Sequence, residues 1–234
     1  MILGVVLIVL VGLFVGYQFI SSDGQVDEVS QETSESEGDD EDESSEEVHD
    51  GSEEATHLDS TDDRCKDLTA PDAADAAKAK GKSVLLETDK GDIRFELYPE
   101  ETPVHAANFI QLVECGFFDG TSFHRVEPGF VVQGGDPLSK TLEPGDPRLG
   151  TGDPGYKVPL EVGADKKKHL KGRVGMARSQ DPNSAGSQFY FALNDLPSLD
   201  GQYTVPGGVT MGLEVVESIE IGDKIKKATI VDTE

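Results

Sequence analysis

Three stretches of this 234-residue chain concentrate the side chains that can do chemistry. They are Phe123-His-Arg-Val-Glu-Pro-Gly-Phe-Val-Val-Gln-Gly-Gly-Asp-Pro137, Gly175-Met-Ala-Arg-Ser-Gln-Asp-Pro-Asn-Ser-Ala-Gly-Ser-Gln-Phe-Tyr-Phe191 and Leu199-Asp-Gly-Gln-Tyr-Thr-Val205. Between them they set guanidinium groups (Arg125, Arg178), carboxamides (Gln133, Gln188) and an imidazole (His124) among aromatic and aliphatic residues. No G-x-S-x-G, H-E-x-x-H or Cys/His nucleophile arrangement occurs, so hydrolysis has no support in these residues. Taken one at a time they are ambiguous. Arg125 also reads as a strand arginine in an ion pair, Gln133 as a solvent-facing strand residue, and apolar strand residues are core more often than pocket.

The elements that must hold these residues are short. Val84–Thr88 and Ile93–Leu97 read as strands joined by the turn-rich Asp89–Asp92, and in the second Ile93, Phe95 and Leu97 alternate with Arg94 and Glu96. Thr102 followed by Pro103 offers a helix start, and Gly116 a stop. Between them Ala106, Phe109, Ile110 and Val113 recur at helical spacing, which predicts an amphipathic helix of about 13 residues. Further strands are expected over 122–126, 130–133, 173–177, 188–193, 203–205 and 228–231, with a second helix near Leu213–Ile219. Many short strands, Gly- and Pro-rich loops and two helices indicate an antiparallel barrel or sandwich.

In order and spacing, the three stretches resemble the cyclophilin family, particularly its bacterial-type members, over residues 83–234. The resemblance implies a mainly β fold, a closed eight-stranded antiparallel β-barrel capped by two α-helices, with the active site in a groove on its outside. It implies peptidyl-prolyl cis/trans isomerase activity on proline-containing segments of client proteins, without covalent intermediate, cofactor or metal, by a monomer. Arg125 and Gln133 match the catalytic arginine and the glutamine that orients it. Phe130, Val131, Met176, Tyr190 and Leu199 match positions lining the proline pocket, Ala177, Arg178 and Gln188 the groove wall, and His124 and Tyr203 further positions at the substrate. There are departures: Tyr190 stands where phenylalanine is common, Tyr203 where animal members carry histidine, Ser198 where cyclosporin-sensitive members carry tryptophan, and Pro206-Gly-Gly208 replaces a Phe-Gly pair.

Outside this region the chain changes character. Residues 1–20 carry no charged side chain. At about 1.5 Å per residue they match the roughly 30 Å core of a bilayer and read as an N-terminal transmembrane anchor, the alternative being a cleaved secretory signal. Either way the catalytic domain is expected outside the cytoplasm. Residues 21–82 are rich in Ser, Glu, Asp and Gly, too polar and too like-charged to build a core, and read as an extended disordered linker, with a helical turn or two in 71–80. The net charge of −26 leaves no footprint for nucleic acid. Cys65 and Cys115 read as free thiols, a disulfide requiring the linker to be pinned to the domain.

Overall fold

The alternation seen in Ile93–Leu97 becomes one strand of an antiparallel sheet whose inner face is aromatic. The structure is a computed structural model, and it describes residues 63–163 and 168–233. In chain order the elements are β1 (Lys82–Thr88), β2 (Asp92–Leu97), α1 (Pro103–Glu114), β3 (Arg125–Glu127), β4 (Val131–Gly134), β5 (Arg173–Met176), β6 (Phe189–Ala192), β7 (Gly207–Met211), α2 (Leu213–Ser218) and β8 (Ile225–Asp232). The eight strands lie in the order β3-β4-β6-β5-β7-β2-β1-β8.

The sheet curls but does not close, which corrects the expectation of a closed barrel. β3 and β8 are its two edges. The chain before β3 meets the start of β8 at an isolated bridge, Ser122 with Lys224, where the Phe123 N–H reaches the Asp223 carbonyl at 2.9 Å and the Ile225 N–H reaches the Thr121 carbonyl at 2.8 Å. One residue later the His124 N–H donates instead to the Gln133 carbonyl of β4 at 3.1 Å. Because the Ser122–Lys224 pairing is antiparallel, the chain beyond Phe123 runs toward Gly222 and away from β8 while it joins β4, and no ladder forms between β3 and β8.

Inside the curl, Phe95, Phe109, Phe118, Phe123, Phe189 and Phe191 are fully buried. Their rings meet mostly edge to face, Phe95 and Phe109 at 5.4 Å between centroids and Phe109 and Phe189 at 5.7 Å, geometry that adds to the burial of each side chain. Burying one such side chain contributes about 1.5–3 kcal/mol.

The helix α1 is more deeply buried than an amphipathic surface helix, with eight of its twelve residues inside. The 3-10 turn at Ala73–Ala79, begun by Asp72 accepting from the Ala74 N–H at 2.7 Å, packs against α1 and reaches β1, with Ala76 and Ala79 buried. A disulfide joins Cys65 to Cys115 at the end of the helix, their Cα atoms 5.3 Å apart. The free-thiol expectation is therefore corrected: the short segment from Asp63 is pinned to the domain. The start of α1 is held in a way the sequence does not announce. Thr102 makes no side-chain cap; its hydroxyl donates to the Tyr98 carbonyl, while the Glu161 carboxylate accepts from the Val104 and His105 N–H groups at 3.1 and 2.9 Å.

The strand expected over 203–205 lies slightly later, as β7, and begins at Gly207. A side chain at Gly207 would place its Cβ 2.3 Å from the Glu96 carbonyl oxygen, so close strand approach selects glycine where propensity argues against a strand.

The expectation of a transmembrane helix, with the membrane partner and the anchored extracytoplasmic location drawn from it, is corrected to what the described residues show. Among the described residues no helix is long and apolar enough to cross a membrane, α1 having only twelve residues. The segment 1–20 lies outside the described residues.

Candidate active site

The two faces of β4, β5 and β6 carry different chemistry, and the two-residue period of a strand sorts them. Val132, Val174, Phe189 and Phe191 point into the main core. Val131, Tyr190 and Ala192 point the other way and form a second apolar cluster with Leu196 and Leu199, against which Phe130, Ala177 and Tyr203 pack. Register fixes the polar border of this cluster. Arg125 is paired with Gln133, Gln133 with Tyr190, and Gly175 with Tyr190.

A directed row of hydrogen bonds runs along that border. The Arg125 Nη1 donates to Gln133 Oε1 at 3.1 Å, Gln133 Nε2 to Gln188 Oε1 at 3.0 Å, and Gln188 Nε2 to the Gly152 carbonyl at 2.8 Å. A guanidinium can only donate, so it sets the orientation of both carboxamides behind it. The far end is fixed in turn: the buried Asp136 carboxylate accepts the Gly150 and Gly152 N–H groups and holds the loop. On its other side Arg125 Nε and Nη2 both donate to Glu127 Oε1, at 2.9 and 2.6 Å. Its carbon Cζ lies 5.8 Å from the Phe130 ring centroid. Two of its five N–H groups remain unengaged among the described residues, beside the apolar cluster. A fixed cation of this kind, with donors to spare and a greasy neighbour, can stabilise charge that develops on a bound amide.

Most of the residues singled out in the sequence thus meet. Arg125, Phe130, Val131, Gln133, Ala177, Gln188, Tyr190, Leu199 and Tyr203 share this face, and Arg178 stacks on Tyr203 with 4.4 Å from Cζ to the ring centroid. The Arg178 side chain is further tied by Nε to the Gln202 carbonyl at 3.1 Å and by Nη1 to the Ser179 carbonyl at 2.8 Å. Met176 does not join them. It lies one residue past Gly175 on β5, and alternation turns it into the main core, 2 % exposed. His124 does not join the apolar cluster either: its ring lies near Gly150, buried, with no well-formed hydrogen bond to either ring nitrogen among the described residues, though Gln188, Arg125 and the Ser122 backbone act on it electrostatically. Burial holds its pKa below the ordinary imidazole value, against the opposing pull of Asp136.

Three contributors were not singled out in the sequence. Glu127 was open to detection, since residues two apart on a strand share a face. Gly152 and His169 come from the long stretch between β4 and β5, where no periodicity marks them. The His169 ring nitrogens meet Tyr190 and Asp200, at 3.0 and 3.1 Å.

Residues 83–234 match the family model described as cyclophilin type peptidyl-prolyl cis-trans isomerase/CLD. A probable peptidyl-prolyl cis-trans isomerase of Brucella suis is 43% identical over 162 residues, covering 63% of this chain and 82% of the relative. A peptidyl-prolyl cis-trans isomerase of Helicobacter pylori is 37% identical over 155 residues, covering 66% and 86%. Among solved structures, a cyclophilin type peptidyl-prolyl cis-trans isomerase of Cryptosporidium parvum superposes with a TM-score of 0.57 at 28% identity, covering 65% of this chain and 99% of that one. The same protein in the presence of the dipeptide ala-pro gives 0.54 at 29%, with the same coverage.

Proposed function

This chain belongs to the cyclophilin-type peptidyl-prolyl cis-trans isomerase family and catalyses rotation about X–Pro bonds in client proteins, and from that premise we propose that Arg125 is its catalytic residue and that residues 83–234 are its catalytic domain. The bond resists rotation because the nitrogen lone pair is delocalised into the carbonyl, a barrier of about 18–20 kcal/mol. Left alone, an X–Pro bond turns over in about 10–100 s. At the top of the barrier the lone pair is localised on the proline nitrogen. A donor aimed at it bonds more strongly there than in the cis or trans ground state, and so lowers the barrier rather than merely binding.

The observation that carries this reading is the guanidinium held from two sides, by Glu127 and by Gln133, next to an apolar cluster with N–H groups to spare. Its orientation is set before any substrate arrives, so little reorganisation is needed during the reaction. In the same reading Phe130, Val131, Tyr190 and Leu199 wall the proline ring. Ala177, Arg178, Gln188 and Tyr203 form the groove that takes the flanking backbone, and Gln133 positions the arginine. Met176 and His124 contribute from behind, through the core and through the loop at Gly150. The Cryptosporidium parvum relative was crystallised with an X–Pro dipeptide, which supports a small prolyl segment as the unit recognised.

A proline-peptide isomerase assay on Arg125→Ala tests the assignment. A fall in kcat/KM of roughly 10²–10³, the size of a lost transition-state donor, is expected. A change of only a few-fold would contradict it.

A further inference from the structure

Behind the apolar wall of the groove Tyr190 is joined in a string to two polar side chains, His169 and Asp200, that have no part in the roles above. The Tyr190 hydroxyl is 3.0 Å from His169 Nε2, and His169 Nδ1 is 3.1 Å from Asp200 Oδ1. That Asp200 oxygen also accepts the His169 backbone N–H at 2.8 Å, while the His169 carbonyl accepts from Leu196 at 2.7 Å. The imidazole and phenol rings are close to coplanar, 16° apart. Both residues are buried, His169 at 1 % and Tyr190 at 5 % exposure. An ionised Asp200 can only accept, so the ring proton sits on Nδ1, Nε2 offers its lone pair, and the Tyr190 hydroxyl donates.

The ring of Tyr190 also has room reserved for it. A Cβ on Gly175, its partner across the strands, would stand 2.2 Å from the phenol Cζ. A phenol in an apolar wall must find a partner for its hydroxyl, and here that partner fixes the ring.

We infer that His169 is a positioning residue of this isomerase: it holds the Tyr190 ring at the angle that walls the proline site, with Asp200 fixing its tautomer. The inference rests on the reading that Tyr190 walls that site. His169 touches no substrate and acts only through Tyr190. The wall contacts the proline ring alike in cis, trans and twisted forms, so its loss weakens binding and leaves the chemical step alone.

Protonation reverses the string. With a proton on Nε2 the imidazole becomes a second donor toward the hydroxyl, whose own hydrogen then has no partner. The ionisable groups around His169 are Asp200, Tyr190 and Tyr203, with Arg178 stacked on Tyr203 and Lys168 acting on Asp200. Burial, only partly opposed by Asp200, holds the imidazole below its ordinary range, so the reversal falls on the acid side of that range.

The test measures KM and kcat of the full chain on a proline tetrapeptide in a protease-free assay across pH. His169→Leu is expected to raise KM roughly three- to tenfold, the size of one net hydrogen bond, with kcat kept within about twofold. His169→Gln, whose carboxamide oxygen can take the hydroxyl proton, should recover most of the loss. In a Tyr190→Phe background His169→Leu should add nothing. Wild-type KM should climb on acidification, and that climb should vanish in Tyr190→Phe. A loss confined to kcat, additive effects, or an acid climb persisting in Tyr190→Phe would overturn the inference. If His169→Leu does not fold by circular dichroism, the pH comparison of wild type with Tyr190→Phe decides alone. Leu199→Ala and Phe130→Ala separate the two levels. If they raise KM while the His169 variants do not, the positioning role is wrong, and if they leave KM unchanged the proline wall itself lies elsewhere.

Discussion

Gln133 stands directly opposite Arg125 in the β3–β4 ladder, and its carboxamide oxygen accepts a hydrogen bond from Arg125 Nη1 at 3.1 Å while its nitrogen donates to Gln188 at 3.0 Å. The carboxamide therefore transmits the position of the Gly152 loop to the guanidinium. Gln133→Ala removes both contacts and frees one side of the fork. Since a hydrogen bond to a charged group is worth about 1.5–3 kcal/mol, kcat/KM should fall roughly ten- to a hundredfold. A stopped-flow isomerase assay checks this, and a variant within twofold of wild type would show that Glu127 alone positions the arginine.

Acid should loosen the start of α1 through Glu161. Burial pushes its carboxyl upward, but the hydrogen bonds from the His105 ring and from the His105 and Val104 N–H groups together outweigh it and hold the pKa below the ordinary glutamate value. A carboxylate depressed in the folded state adds stability that is fully present above its unfolded value and is lost as pH falls through the folded value. Glu161→Gln should lower stability by about 1–3 kcal/mol at neutral pH, as orphaned amide donors would. Urea melts at pH 7 and pH 3 check the sign, the difference between wild type and variant shrinking at pH 3. A gap that is constant with pH would mean that the carboxylate charge plays no part.

The disulfide closes a loop of sequence separation 50, tying the segment before β1 to the end of α1. Cys65→Ser with Cys115→Ser should lower stability by about 2–4 kcal/mol, mostly by releasing the unfolded chain. Isomerase activity should survive, because none of the groove residues touches this clasp. The measurement is a pair of denaturant melts with and without reductant. Wild type should fall to the double variant's midpoint on reduction, and an unchanged midpoint would show that the clasp carries no stability.

How legible the site was in the sequence depended on how local each contact is. Arg125, Gln133 and Tyr190 lie on strands whose alternation sends them to one face, so the motif and the geometry agree. The same alternation sends Met176 to the opposite face, because the residues on either side of it, Gly175 in β5 and Ala177 just after it, take the outward places. His169 and Gly152 act from irregular chain, where no period announces a direction. Capping of α1 by Glu161, distant in sequence from the helix it caps, is invisible for the same reason. Closure of the sheet turns on how far the pairing around Ser122 and Lys224 extends, a detail finer than strand composition can carry.

The most direct test of the account replaces Arg125 with lysine. If the site needs only a positive charge, Arg125→Lys keeps much of its activity while Arg125→Ala loses it. If a planar fork fixed by Glu127 and Gln133 is required, lysine fails almost as badly, since its ammonium is a flexible, strongly hydrated point charge. The account predicts that kcat/KM on a proline tetrapeptide falls by roughly 10²–10³ in both variants, with circular dichroism and melting temperature unchanged. Near-wild-type turnover in Arg125→Ala would contradict it and move the chemistry away from this residue.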